Sequence, residues 1–170
     1  RKKKSAPLLA FLKNKKQYVA AEKIAALPIK GLIPGMAVHF AGCCHPLPGD
    51  NIVGVINSGK GVTIHVATCD NLHDWEDIDD RLVNITWDES VSNAKHFVGR
   101  LKISLSNKAG ALATITQIIS KEDSNIHNLK IISRSSDYFE IMLDIEVRNI
   151  VHLRSIKAAL RSSKLVFSVY

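Results

Sequence analysis

The chain has 170 residues, 46% hydrophobic and 23% charged, a globular composition with room for one large domain or two small ones. No apolar run approaches the roughly 20 residues of a membrane span, no secretory signal pattern is expected, and an odd number of cysteines, three, argues against a disulfide framework and for a reduced, cytoplasmic setting. The net charge of +7 admits nucleic acid as a partner, because cationic surface releases counterions from phosphate, and equally admits a plain solvated basic surface.

The sequence opens at Arg1 rather than Met, in the basic run "RKKK", and reads as a piece of a longer polypeptide. "QYVAAEKIAAL" (Gln17–Leu27) is expected to be helical, with Val19, Ile24 and Leu27 roughly on one face. Residues 1–28 are thus a helical linker. Pro28, Pro34, Pro46 and Pro48 then punctuate the chain. "NIVGVIN" and "GVTIHV" read as two strands of a hairpin joined through Ser58–Gly61, and "RLVNITW" as a third strand beside them. The acidic "LHDWEDIDD" between them is expected to be a short helix. Asp79 and Asp80 within it read as solvated surface.

The polar stretch "DESVSNAKH" (88–96) reads as a linker. Beyond it the pattern is regular. Leu101, Ile103 and Leu105 alternate with Arg100, Lys102 and Ser104, the period of a half-buried strand. After the loop "NKAG", Leu112, Ile115, Ile118 and Ile119 recur at helical spacing, on a helix ending near Glu122. "IHNLKIIS" is a second strand. The turn "RSSD" leads to a third, in which Phe139, Ile141, Leu143, Ile145 and Val147 alternate with Tyr138, Glu140, Met142, Asp144 and Glu146. A second helix carries Leu153, Ile156 and Leu160 inward, with Arg154, Lys157 and Arg161 outward, and "LVFSVY" closes with a strand. Strand, helix, strand, strand, helix, strand is the ferredoxin-like order. Two helices would cover one sheet face and leave the other for a partner. The fold class is α+β: a small β-rich unit with an N-terminal helix, then a βαββαβ unit.

Every cysteine lies in "AGCCHPLPGDNIVGVINSGKGVTIHVATCDNL" (Ala41–Leu72). Thiolate sulfur and imidazole nitrogen are the donor set of a structural zinc, and the stretch supplies Cys43, Cys44, His65 and Cys69. If the hairpin folds back, the two halves of this set meet. The competing reading is buried thiols packed as small hydrophobes beside a solvent-facing His65. His39, His45 and His73 are nearby substitutes. Redox use of the vicinal pair finds no resolving-thiol motif beside it, and a Cys–His nucleophile finds no third orienting group.

The same stretch resembles the zinc-finger-like, or RIS, domain in the C-terminal regulatory region of Rel/SpoT-type alarmone synthetase/hydrolases. "NKAGALATIT", "SNIHNLKI" and "FEIMLDIEV" resemble the ACT domain that follows it, and "PIKGLIPGMAVHFAGCCHPLPGD" looks most like the alphaproteobacterial Rsh branch. The resemblance implies a zinc-finger-like domain over 29–88 and an ACT domain over 97–170. It carries the family's motif onto Cys43, Cys44, His65 and Cys69, with Thr68 where many members have Asp. The family's synthetase and hydrolase centres belong to an N-terminal half whose motifs are not in this sequence, so a regulatory, non-catalytic role is implied.

In amino-acid-binding ACT domains the loop after the first strand carries Asn, a small residue or Pro, then Gly, here Asn107, Ala109 and Gly110. Glycine lets a ligand approach the backbone, and amides at a helix start favour a carboxylate. Ala111 and Leu112 can line an apolar pocket. Asn125, flanked by Ile126 and His127, would face this loop across a dimer interface and take the ligand's charged groups. The plain alternatives are a helix-start glycine and two turn asparagines. A small branched-chain amino acid, valine or isoleucine, suits the set. The partners implied are a second copy through the ACT domain and the catalytic half of the parent chain. The alternative role is docking on the ribosome with uncharged tRNA.

Overall fold

The computed structural model describes residues 29–72, 78–88 and 96–170. The expected helix over 17–27, the middle of the acidic segment with His73, and most of the polar linker lie outside them. The first unit holds β1 (Ile29–Lys30), β2 (Val38–Phe40), β3 (Ile52–Asn57), β4 (Gly61–Val66), β5 (Leu82–Asn84) and β6 (Thr86–Trp87). The expected hairpin is present, with β3 and β4 antiparallel from Ile52↔Val66 to Asn57↔Gly61.

Two features depart from the sequence reading. "RLVNITW" is not one strand: β5 pairs with β3, and β6 leaves to pair with β1. The break falls at Ile85, whose buried side chain joins Ile29, Ile52 and Ile64 in a small core. Strand β2, three residues long and parallel to β4, is too short to display an alternation. In the acidic segment, the described residues form short 3-10 turns at Asp70–Leu72 and Asp79–Arg81. Asp79 and Asp80 are exposed.

The second unit follows the expected order: β7 (Phe97–Ser106), α1 (Ala111–Lys121), β8 (Ile126–Arg134), β9 (Tyr138–Val147), α2 (Ile150–Arg161) and β10 (Val166–Val169). The antiparallel sheet runs β10-β7-β9-β8. The alternating residues of β7 and β9 meet Ile115 and Ile119 of α1 and Leu153, Ile156 and Leu160 of α2 in one core. Leu112 departs from the expected helix stripe. It is exposed, and Ala111 takes the buried position at the helix start. Asn149 caps α2 by accepting the His152 N–H at 2.8 Å. No described helix is long and apolar enough to cross a membrane.

The two units meet through the segment Gly42–Asp50 and through Phe40 and Trp87, which pack on Phe97. Leu47, 1% exposed, is part of the second unit's core although it belongs to the first unit's loop. The Pro48 carbonyl accepts the Ile150 N–H at 3.0 Å. That amide opens α2 and has no acceptor within its own helix. Arg100 grips Asp144 through two nitrogens, at 2.6 and 3.0 Å, and also donates to the Gly42 carbonyl at 3.4 Å. This pair holds the Asp144 carboxyl below its ordinary range. Trp87 stacks on Phe40 and meets Phe97 edge-on, and its indole N–H donates to the Asp50 carbonyl at 3.1 Å. Part of the sheet surface expected to await a partner is therefore taken by the chain itself.

Gly49 makes the close approach possible. Its φ of +97° suits glycine, and a Cβ there would stand 2.7 Å from Cγ2 of Ile150. Gly49→Ala is expected to lower stability by about 1–3 kcal/mol in denaturant titration. Gly59→Ala is the control: it has φ +74° but nothing within 4 Å of the added Cβ, so it carries the backbone part alone. Equal losses in the two variants would mean the Gly49–Ile150 contact contributes nothing.

Candidate functional site

Cys43 and Cys44 stand in the turn after β2, His65 near the end of β4, and Cys69 just beyond it. Because β2 runs parallel to β4, the turn after β2 and the end of β4 lie at the same end of the sheet. The Ala41 N–H donates to the Ile64 carbonyl, and the His45 N–H to the Ala41 carbonyl, closing the sharp turn that two adjacent cysteines need. His45 takes the left-handed backbone conformation there, φ +46°.

The ligand atoms of Cys43, Cys44, His65 and Cys69 all lie within 4.8 Å of one another. Cys43 Sγ is 3.6 Å from His65 Nδ1 and 3.6 Å from Cys69 Sγ, and Cys44 Sγ is 3.9 Å from His65 Nδ1. Donors on one tetrahedral zinc stand roughly 3.5–3.8 Å apart, so three sulfurs and one imidazole nitrogen here have the chemistry and spacing for that ion. His65 is buried rather than solvent-facing, which corrects one part of the packed-thiol alternative. The other part has support: Cys69 packs with Val55 and Leu72, and Cys44 lies against them. Burial foremost pushes the Cys44 thiol up to about 12, against the lowering pull of the Val66 N–H that donates to its sulfur at 3.3 Å. Burial also lowers His65. Of the substitutes, His39 is exposed, and His45 lies outside the cluster, where burial and then Arg100 lower its pKa.

The second candidate site is a cavity of about 250 Å³ at the start of α1. It is lined by Asn107, Gly110, Ala111 and Leu112 from the loop and helix, and by Ile131, Arg134 and Phe139 from β8 and β9. Ala109 is exposed beside Gly110. Gly110 has φ +83°, and a Cβ there would meet nothing within 4 Å. Its need for glycine is conformational, and the space in front of it is open. Leu112 and Ala113, in the first turn of α1, line the cavity, and first-turn amides have no acceptor within their own helix. Asn107 is held from two directions. Its side-chain amide donates to the Ser135 carbonyl at 2.7 Å, and its Oδ1 accepts from Arg134 at 3.3 Å.

Asn125, Ile126 and His127 are not among the residues lining this cavity. They stand at the opposite end of β8 from Arg134, roughly 25 Å away along an extended strand. Sequence reasoning passed over Ile131, Arg134 and Phe139. The signal was available: β7 pairs with β9 through Ser106↔Tyr138, so the loop after β7 must lie against the β8–β9 turn.

Residues 27–88 match the RelA/SpoT RIS domain family, and residues 93–170 match an ACT domain family. Over 145 residues, 84% of this chain, the sequence is 37% identical to the GTP pyrophosphokinase rsh of Brucella ovis, of which it covers 19%. It is 32% identical over 142 residues, again 84% of the chain, to the bifunctional (p)ppGpp synthase/hydrolase SpoT of Escherichia coli K12, of which it covers 20%. The chain thus spans about a fifth of the length of these curated relatives. Among solved structures, the ACT domain from GTP pyrophosphokinase of Chlorobium tepidum is 30% identical, with 45% of this chain and 97% of that one covered at a TM-score of 0.40. The chain belongs to the Rsh/SpoT family of (p)ppGpp synthetase/hydrolases, as a RIS domain followed by an ACT domain from their C-terminal regulatory region.

Proposed function

We propose that this region senses a small branched-chain amino acid, valine or isoleucine, at its ACT domain, joins two copies of the parent enzyme, and passes the signal to the parent's synthetase and hydrolase domains. The observation that carries this reading is the open cavity in front of Gly110. The first-turn amides of α1 and the Arg134 guanidinium suit a carboxylate. Leu112, Ile131 and Phe139 suit a small apolar side chain. Lysine and arginine find a cation, Arg134, where they would need an anion.

The edge strand β8 supports the dimer. It is nine residues long, and Leu129, Ile131 and Ile132 on it are 38%, 49% and 44% exposed. An apolar edge of this length invites another strand. Antiparallel pairing of two β8 strands about Lys130 sets Ile126 of one copy opposite Arg134 of the other. That register carries Asn125, Ile126 and His127 of the second copy to the cavity of the first, where the Asn125 amide accepts the ligand's ammonium.

The Cys43, Cys44, His65 and Cys69 cluster holds zinc in this reading, and the ion fixes the turn after β2 to the end of β4. Binding must displace thiol protons, so zinc affinity rises with pH. Metal analysis of protein purified without chelator should find about one zinc per chain, and Cys69→Ser should abolish it. A metal-free, fully folded wild-type protein would leave the packed-thiol reading in its place.

Calorimetry against the free amino acids should show valine or isoleucine binding, with Asn107→Ala weakening it at least tenfold, about 1.4 kcal/mol, while the melting curve of the unliganded protein holds. Sedimentation at tens of micromolar should show a dimer. No heat with millimolar valine, isoleucine or leucine would end the ligand reading, and a monomer would end the shared-site geometry.

A further inference from the structure

We infer that Cys43 and Cys69 form a peroxide-oxidisable dithiol, with Cys43 as the reacting thiol and Cys69 as the thiol that resolves it. The inference is independent of the amino-acid reading. The sequence places no resolving motif beside the Cys43–Cys44 pair, but the fold brings a resolving thiol, Cys69, from the end of the neighbouring strand. Cys43 Sγ lies 3.6 Å from Cys69 Sγ, and a small closing movement brings the two to bonding distance. Cys43 is exposed, whereas Cys69 is buried, so an oxidant in solution reaches Cys43 first. Cys44 is only partly exposed, and its sulfur already accepts the Val66 N–H at 3.3 Å. A bridge between the adjacent Cys43 and Cys44 would close a small strained ring and twist the peptide between them.

The chemistry needs one hydroperoxide. The Cys43 sulfur attacks a peroxide oxygen: the S–O bond forms, the O–O bond breaks, and the peroxide leaves as water, or as an alcohol if it is organic. Cys43 is then a sulfenic acid. The Cys69 sulfur attacks the Cys43 sulfur, the S–S bond forms, the S–O bond breaks, and hydroxide leaves as water with the Cys69 proton. Two thiols are oxidised and one peroxide is reduced, with two molecules of water as products when the oxidant is hydrogen peroxide. The bridge removes two of the four donors of the cluster, so the oxidised chain and the zinc-loaded chain exclude each other.

The test uses the whole chain, chelator-treated and exposed to a small excess of hydrogen peroxide. Free thiols should fall from three to one and return with dithiothreitol. A non-reducing tryptic digest should join residues 31–60 to residues 61–81, and fragmentation between Cys43 and Cys44 should place the bridge on Cys43. Cys44→Ser should form the same bridge. Cys69→Ser should stop at a sulfenic acid on Cys43, trapped by dimedone. After oxidation the wild-type chain should no longer take up its equivalent of zinc. A bridge on Cys44, a bridge between two chains, or oxidation of the wild type with no bridge would each overturn the inference. The wild-type digest decides the matter even where a variant fails to fold.

Discussion

The structure depends on one short segment, Cys43–Asp50, that is built into both units at once. At its start Cys43 and Cys44 turn back toward His65 and Cys69. Four residues on, Leu47 is buried in the core of the ACT domain, and the Pro48 carbonyl closes the first amide of α2. Asp50 holds the segment together from within, its carboxylate accepting the Leu47 N–H at 2.8 Å while its carbonyl accepts the Trp87 indole. Two prolines, Pro46 and Pro48, restrict the backbone on either side of Leu47. A side chain inserted into a close-packed core cannot move without disturbing its neighbours. The cysteine cluster and the ACT helix α2 are therefore mechanically joined, with little slack between them.

This joint gives the two candidate sites a physical relation. The cluster lies against the first half of β7, where Cys43 and Cys44 line a cavity with Arg100, Lys102 and Met142 and Gly42 accepts from Arg100. The cavity before Gly110 sits at the far end, where β7 ends and β9 begins. Strands β7 and β9 pair along their whole length, from Phe97↔Val147 to Ser106↔Tyr138, and form a rigid element between them. In a chain proposed to report an amino acid to distant catalytic domains, such an element lets occupancy at one end bias the position of the RIS domain at the other. The apolar edge β8 adds a third surface, open to a second copy.

The ACT half was legible because its physics is local. Phe139, Ile141, Leu143, Ile145 and Val147 alternate on a strand buried on one face, and the structure buries all five. The helix stripe is legible at Ile115 and Ile119 and not at its start, where Leu112 turns outward and Ala111 turns in. The RIS half was less legible for a definite reason. Its strands are two to six residues long, and pairings as short as β1 with β6 leave no periodicity to read. Leu47 lies in a proline-rich loop, where a lone apolar residue carries no sign of the distant core it fills. The four metal-ligand candidates were found by chemical type, and the structure brings them together. Arg134, by contrast, lies at the end of a strand among other polar residues and shows its place only through the register of β7 with β9.

Leu47 couples the two units, and hydrogen exchange in Leu47→Ala measures that coupling. Two amides report on the two sides: Ile150, bonded to the Pro48 carbonyl, and Val66, bonded to the Cys44 sulfur. Both should lose protection together, while Ser106, bonded to the Leu165 carbonyl at the far end of the sheet, keeps its own. Loss at Ile150 with Val66 unchanged would contradict the coupling, because the segment would then be a passive filler of the ACT core and not a joint.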